Sequence, residues 1–278
     1  GTNRIIGYMY EHTWDFSSVE LINIDEINGY EGSDNITGSA QADTIVGGEG
    51  DDTLDGHDGD DVFLVSGSSH GFDAIRGGNG YDTIQGSDQD DTIGLYALTA
   101  VNGVEKIDGG AGVNTIVGPG FNLNWDFTSV ELVNIEQILG GNGHDRIIGS
   151  NGADVIVGGK GYDTLEGGEG DDRFIMHGLD QDFDSIKGNG GYDVVEGSAG
   201  DDDFGLYPLF VDSGLEKIDG GEGLNRIVGL NYDHYWDFSQ TELVNITSIN
   251  GMGGHDTIIG SQKADTILGG DGYDNLNG

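Results

Sequence analysis

The sequence predicts an all-β fold, a parallel β-roll solenoid with two nonapeptides per coil. Three observations predict it. A nine-residue glycine-rich repeat runs through the chain, each repeat carries one large apolar residue at a fixed place, and 54 of the 278 residues are Gly against 2 Pro and no Cys.

The repeat reads Gly-Gly-x-Gly-x-Asp-x-U-x, with U large and apolar. Clean copies stand at 47–55 (GGEGDDTLD), 77–85, 140–148, 158–166, 167–175 and 269–277. Weaker copies at 38–46 (GSAQADTIV) and 86–94 (GSDQDDTIG) keep the Asp and the apolar residue. A period of nine is not helical. The x-U-x part reads as strand, with U inward and its neighbours outward, and the Thr and Val around it favour strand. The glycine half supplies turns whose backbone angles other residues avoid. Two nonapeptides then close one coil, and coils stack in parallel about 4.8 Å apart. The apolar interior of such a stack is thin, so another interaction must hold it.

A longer period of 111 residues lies over the short one. Trp14, Trp125 and Trp236 share a phase, as do Leu21, Leu132 and Leu243, and each Trp lies in a segment of the type WDF(S/T)xxEL(I/V)NI. The long unit divides into ten nonapeptides and three spacers. The spacers are Val65–Gly67 and Met176–Gly178, Leu95–Thr99 and Leu206–Phe210, and Gly118–Val130 and Gly229–Thr241. The expectation is one continuous array over 1–278, made of a partial unit 1–19, full units 20–130 and 131–241, and a partial unit 242–278. It begins and ends inside a repeat, as a piece of a longer array would.

Charge supplies the next constraint. With 51 acidic and 10 basic residues the net charge is −41. Such a field repels phosphate, which disfavours nucleic acid as a partner, and anionic lipid for the same reason. No apolar stretch has the length of a membrane-spanning helix. Acidic chains rich in Gly are often disordered, but here the hydrophobic 35% is strictly periodic. The acid must be neutralised before the chain can compact, and divalent cations are the natural counter-charge.

The Asp at the sixth place of each repeat is the candidate ligand. Alternate repeats bring these residues to one edge, so Asp34 is expected beneath Asp52, Asp43 beneath Asp61, Asp145 beneath Asp163 and Asp154 beneath Asp172. The full candidate set adds Asp73, Asp82, Asp91, Asp184, Asp193, Asp202, Asp256, Asp265 and Asp274. Stacked carboxylates with glycine-turn carbonyls make an all-oxygen shell that suits Ca2+, whereas Mg2+ demands tighter octahedral geometry and no thiolate is present to favour zinc. Glu105, Glu136 and Glu216 replace the Asp with a longer acid, and Asn114, Asn225 and Thr247 remove the charge. Weak or absent calcium is expected near these six.

The nonapeptides resemble the repeats-in-toxin (RTX) family of exported bacterial proteases, lipases, cytolysins, giant adhesins and surface-layer proteins. The resemblance implies a β-roll with calcium in the turns, Asp ligands joined by turn carbonyls, and an extracellular, secreted or cell-surface location. The 111-residue superrepeat is more similar to repetitive regions of very large surface proteins. It implies a structural or extender segment stiffened by calcium after export, with assembly into a homo-oligomer, fibre or layer. Two alternatives stand beside it: an adhesive module that binds glycan or a cell surface through the Trp inserts, and an accessory domain of an exported enzyme or toxin.

No catalytic role is expected. The acids are phased as ligands, and no Ser has a nucleophile-elbow context. The seven His, among them His12, His70, His144, His234 and His255, are read as solvated turn residues. Trp14, Trp125 and Trp236 are read either as local core or as a contact surface. Tyr96 with Leu98, and Tyr207 with Leu209, are read as core or as a lateral packing interface.

Overall fold

A computed structural model of the chain describes residues 2–68, 70–99, 102–178, 183–207 and 213–278. It is all-β, built from strands of two to six residues. The apolar eighth residue of each repeat forms the interior, and the strands around it bury it in the alternation the sequence predicts. Ile36, Ile45, Phe63, Ile84, Ile147, Ile156, Phe174 and Phe204 are all fully buried. The chain divides into two compact units, Gly1–Leu139 and Gly140–Gly278.

In the first unit a parallel sheet runs through Arg4–Ile6, Glu26–Glu31, Thr44–Glu49, Val62–Leu64, Thr83–Gln85, Lys106–Asp108 and Glu131–Val133. A second runs through Thr13–Asp15, Asn35–Thr37, Thr53–Asp58 and Ala74–Asn79. Ile27 pairs with Ile45 and Ile36 with Leu54, which is one coil of two nonapeptides. Leu54 pairs with Ile75 across the spacer Val65–Gly67, and Ile84 with Ile107 across the spacer Leu95–Thr99. The register of the buried residues survives each spacer, and in the second spacer Leu95 and Leu98 themselves form β-bridges with Asp73 and Trp125.

The second unit repeats the plan. One set of parallel partners joins Arg146–Ile148, Thr164–Glu169 and Ser185–Gly190. Another joins Val155–Lys160, Arg173–Ile175, Val194–Glu196, Lys217–Asp219 and Glu242–Val244. A third joins Asp203–Gly205, Asn225–Val228, Ile246–Asn250 and Ile267–Leu268. The last joins Tyr235–Asp237, Thr257–Ile259 and Asn275–Asn277.

The thirteen-residue insert departs from the expected spacer. It supplies a strand of its own, and the Trp occupies the apolar place of the ladder. Trp14 pairs with Ile36 and Trp236 with Ile258. Read again, 7–15 (GYMYEHTWD), 118–126 (GPGFNLNWD) and 229–237 (GLNYDHYWD) are degenerate nonapeptides with Trp in the eighth place. Only four residues of each insert are true spacer. Trp125, Phe127, Trp236 and Phe238 are wholly buried, so in these copies the aromatics are core. Leu98 is likewise buried while Tyr207 is exposed; Leu209 lies outside the described residues. Among the described residues no helix is long and apolar enough to cross a membrane.

Candidate metal centres

The turns share a nine-residue period but fall into distinct classes. In ten of the turns that end on Asp the second residue has a positive φ, between 71° and 114°: Tyr30, Gly48, His57, Gly78, Gly141, Gly159, Gly168, Asn189, Met252 and Gly270; Gly110 and Gly221 share it in the turns that end on Asn114 and Asn225. The fourth is a Gly that is also at positive φ, as at Gly50 (123°) and Gly161 (130°). That path is open to Gly without steric cost. The ten turns end on Asp34, Asp52, Asp61, Asp82, Asp145, Asp163, Asp172, Asp193, Asp256 and Asp274.

The stacking of these Asp is explicit. Asp52 Oδ1 accepts the backbone N–H of Asp34 at 2.7 Å, and Asp61 Oδ1 that of Asp43 at 2.7 Å. Asp163 and Asp172 do the same for Asp145 and Asp154, both at 2.8 Å. One oxygen of each carboxylate thus closes the backbone between coils. The second oxygen has a different fate. Oδ2 of Asp34, Asp52, Asp61, Asp82, Asp172, Asp193 and Asp256 is buried without a hydrogen-bond partner. A buried ionised oxygen with no donor is costly.

The missing Cβ of the first glycine shows what surrounds that oxygen. A Cβ on Gly29 would fall 2.1 Å from Asp34 Oδ2 and 2.5 Å from Gly47 O. On Gly56 it would fall 2.2 Å from Asp61 Oδ2 and 2.6 Å from Gly77 O, and on Gly251 2.2 Å from Asp256 Oδ2 and 2.7 Å from Gly269 O. An acid oxygen and a carbonyl oxygen from the next coil crowd one small space. Turns with Ser in the second place share this crowding, as at Gly197 with Asp202 Oδ2 and Gly220 O. Where the acid oxygen also lacks a donor, a cation can answer it, and an all-oxygen set with carbonyls fits calcium. Among the described residues no three His, Asp or Glu side chains gather on one point. Turn carbonyls would therefore make up much of any shell.

Asp43, Asp91, Asp154, Asp202 and Asp265 stand in the second class. Their turns carry Ser in the second place: Ser39, Ser87, Ser150, Ser198 and Ser261. None of these Ser has a positive φ. Each Ser N–H donates to Oδ2 of the Asp four residues on, at 2.6 or 2.7 Å. The hydroxyls of Ser87, Ser150, Ser198 and Ser261 reach the same carboxylates. Sequence reasoning missed these Ser. The signal was present, because the Gly-Ser pairs at 38, 149 and 260, and at 86 and 197, recur at the 111-residue period.

Where Asn or Thr replaces the acid, a donor takes its place. Asn114 Oδ1 accepts Asp91 N–H as an Asp would, while its Nδ2 donates to Asn134 O at 2.9 Å. Asn225 does the same between Asp202 and Asn245. Glu105 and Glu216 each accept the N–H of the preceding Asp, Asp82 and Asp193. Thr247 donates its hydroxyl to Asn225 O. In the Trp-bearing repeats His12 and His234 hold the sixth place, their Nδ1 atoms 3.0 and 3.1 Å from Oδ1 of Asp34 and Asp256. His70 lies 3.6 Å from Asp73 Oδ2. His234 and His70 are buried, not the solvated filler their sequence positions suggested. Asp73 and Asp184 accept the N–H of Asp52 and Asp163 across the first spacer.

Burial sets the electrostatics of these turns. It pushes the carboxyls of Asp52, Asp61 and Asp172 from their ordinary 3.8 up to about 7, against the pull of the N–H that each accepts. Burial likewise raises Asp73, Asp82, Asp154 and Asp193. The column of acids holds charge poorly without a counter-ion.

No curated protein matches the chain. The family model of the RTX calcium-binding nonapeptide repeat matches residues 25–63, 71–94, 139–174, 180–205 and 249–278. These segments cover more than half of the chain and include turns of both classes, and the chain belongs to the RTX calcium-binding nonapeptide repeat family.

Proposed function

We propose that this chain is a calcium-dependent structural or extender segment of a secreted bacterial surface protein, ordered by Ca2+ once outside the cell. The observation that carries the reading is the set of buried carboxylate oxygens without donors, repeated along the turns. A fold with so thin a core and so many unneutralised acids depends on what binds them, and binding to the folded state alone stabilises it at every site. Millimolar calcium outside a cell favours order, and the far lower level inside leaves the chain extended for export. The burial of Trp125 and Trp236 favours this reading over adhesion through the Trp inserts, since those rings offer no surface to a glycan.

Circular dichroism and small-angle scattering during a calcium titration test the proposal. Chelator should abolish most of the β signal and expand the chain, and calcium should restore both. A β signal and radius that do not respond to chelator would sink it.

A further inference from the structure

The two turn classes differ in one chemical respect. In seven turns of the first, those of Asp34, Asp52, Asp61, Asp82, Asp172, Asp193 and Asp256, the second oxygen of the Asp lacks a hydrogen donor; in the second, a Ser supplies it. We infer that Ser in the second place of the repeat closes the turn without metal, so that Asp43, Asp91, Asp154, Asp202 and Asp265 hold no calcium while the positive-φ turns that end on Asp do. The inference rests on the calcium reading proposed above and divides the sites within it.

Asp202 shows the closure in full. Its Oδ1 accepts the N–H of Gly178 and the hydroxyl of Ser198, and its Oδ2 accepts the N–H and the hydroxyl of Ser198. Asp91 has the same arrangement with Gly67 and Ser87. Both carboxylates are buried, at 1% and 2% exposure, and every oxygen is satisfied from within the protein. A cation would have to displace an N–H already in place. Asp172 is buried to the same degree, but its Oδ2 has no such donor.

The backbone separates the classes independently of the side chains. Positive φ at the second and fourth places is found in all ten turns of the first class and in none of the five Ser turns, even where the fourth residue is Gly, as at Gly152 and Gly200. The strands reflect this. In eight of the ten turns of the first class, as at Thr44–Glu49 and Thr164–Glu169, the strand runs six residues into the turn; before Ser turns, as at Asn35–Thr37 and Arg146–Ile148, it stops after three. Asn114 and Asn225 reach the same end by another route, placing an N–H where the Asp turns have a bare oxygen.

The test counts calcium bound per folded full chain, by isothermal titration and by metal analysis after desalting, in three variants. Ser198→Gly converts 197–202 from GSAGDD to GGAGDD, one residue from the GGEGDD of 167–172, and should bind one ion more than wild type. Asp202→Asn should bind as many as wild type, and Asp172→Asn at least one fewer. An Asp202→Asn chain that folds but loses an ion overturns the inference. So does a Ser198→Gly chain with no added ion, which keeps the test decisive if Asp202→Asn does not fold. A wild-type chain that binds no calcium at all overturns the calcium reading itself, and the inference with it.

Discussion

Acid should substitute for calcium. In the calcium-free protein the carboxyls of Asp52, Asp61 and Asp172 sit at about 7 in the fold against an ordinary 3.8. A folded-state value raised above the unfolded one gives stability that is complete below 3.8 and lost as pH rises through about 7. At about 1.4 kcal/mol per pH unit, a shift of about 3 units penalises each ionised group by about 4 kcal/mol. Water that reaches the turns screens part of this, and halving it leaves about 2 kcal/mol each, or about 6 kcal/mol for the three. That is comparable to the whole stability of an ordinary domain, about 5–15 kcal/mol. With chelator present, the chain should be expanded at pH 8 and regain β signal and compactness as pH falls from 7 to 5. The titration should stop there, because the isoelectric point is near 4.1 and a chain without net charge precipitates. At fixed calcium the sign reverses: protons compete for the same oxygens, and affinity should fall over the same interval. Loss of general repulsion could also compact an acidic chain, so the triple variant Asp52→Asn, Asp61→Asn, Asp172→Asn is the control. Its neutral amides should leave it more ordered than wild type at pH 8 in chelator, with a weaker response to acid. Equal pH responses in wild type and triple variant would refute the assignment to these buried groups.

Two further substitutions probe the turn geometry. Gly47→Ala places a Cβ 2.1 Å from Asp52 Oδ2 and should cost about 1–3 kcal/mol or more in calcium. Gly67→Ala, at φ 71° with nothing within 4 Å of the added carbon, should cost only the backbone strain of about 1–2 kcal/mol; thermal denaturation at fixed calcium compares the two. Asn114→Asp exchanges the donor that meets Asn134 O for an acceptor and should destabilise the chelated protein, compacted at pH 5, by about 1–3 kcal/mol. Urea titration there, showing no loss, would contradict the role given to the amide.

The coil and its register were legible because they follow from periods alone. Nine residues give one strand and one turn, so Ile36 must meet Leu54, and the three-residue spacer moves the partner of Leu54 from Phe72 to Ile75 without changing which face is buried. The Trp repeats were not legible as repeats. GPGFNLNWD and GLNYDHYWD lack the Asp and most of the glycines, and only the pairing of Trp236 with Ile258 shows that the indole occupies the place of an Ile. A motif defined by its acid hides copies in which Leu123 or His234 stands where the acid should be.

The metal sites were legible only as candidates, because the count of Asp does not distinguish a carboxylate that lacks a donor from one that has it. Asp172 and Asp202 stand in repeats of nearly the same sequence and are buried to the same degree. What separates them is the residue four positions earlier. Gly168, at φ 110°, lets the strand run on and makes no hydrogen bond to Asp172 Oδ2, whereas Ser198 bends at once and aims N–H and hydroxyl at Asp202. The choice costs the chain one methylene and one oxygen. It decides whether the negative charge is answered by a donor built into the sequence or by an ion taken from solution, and its recurrence at the superrepeat period places both kinds of turn in every full unit.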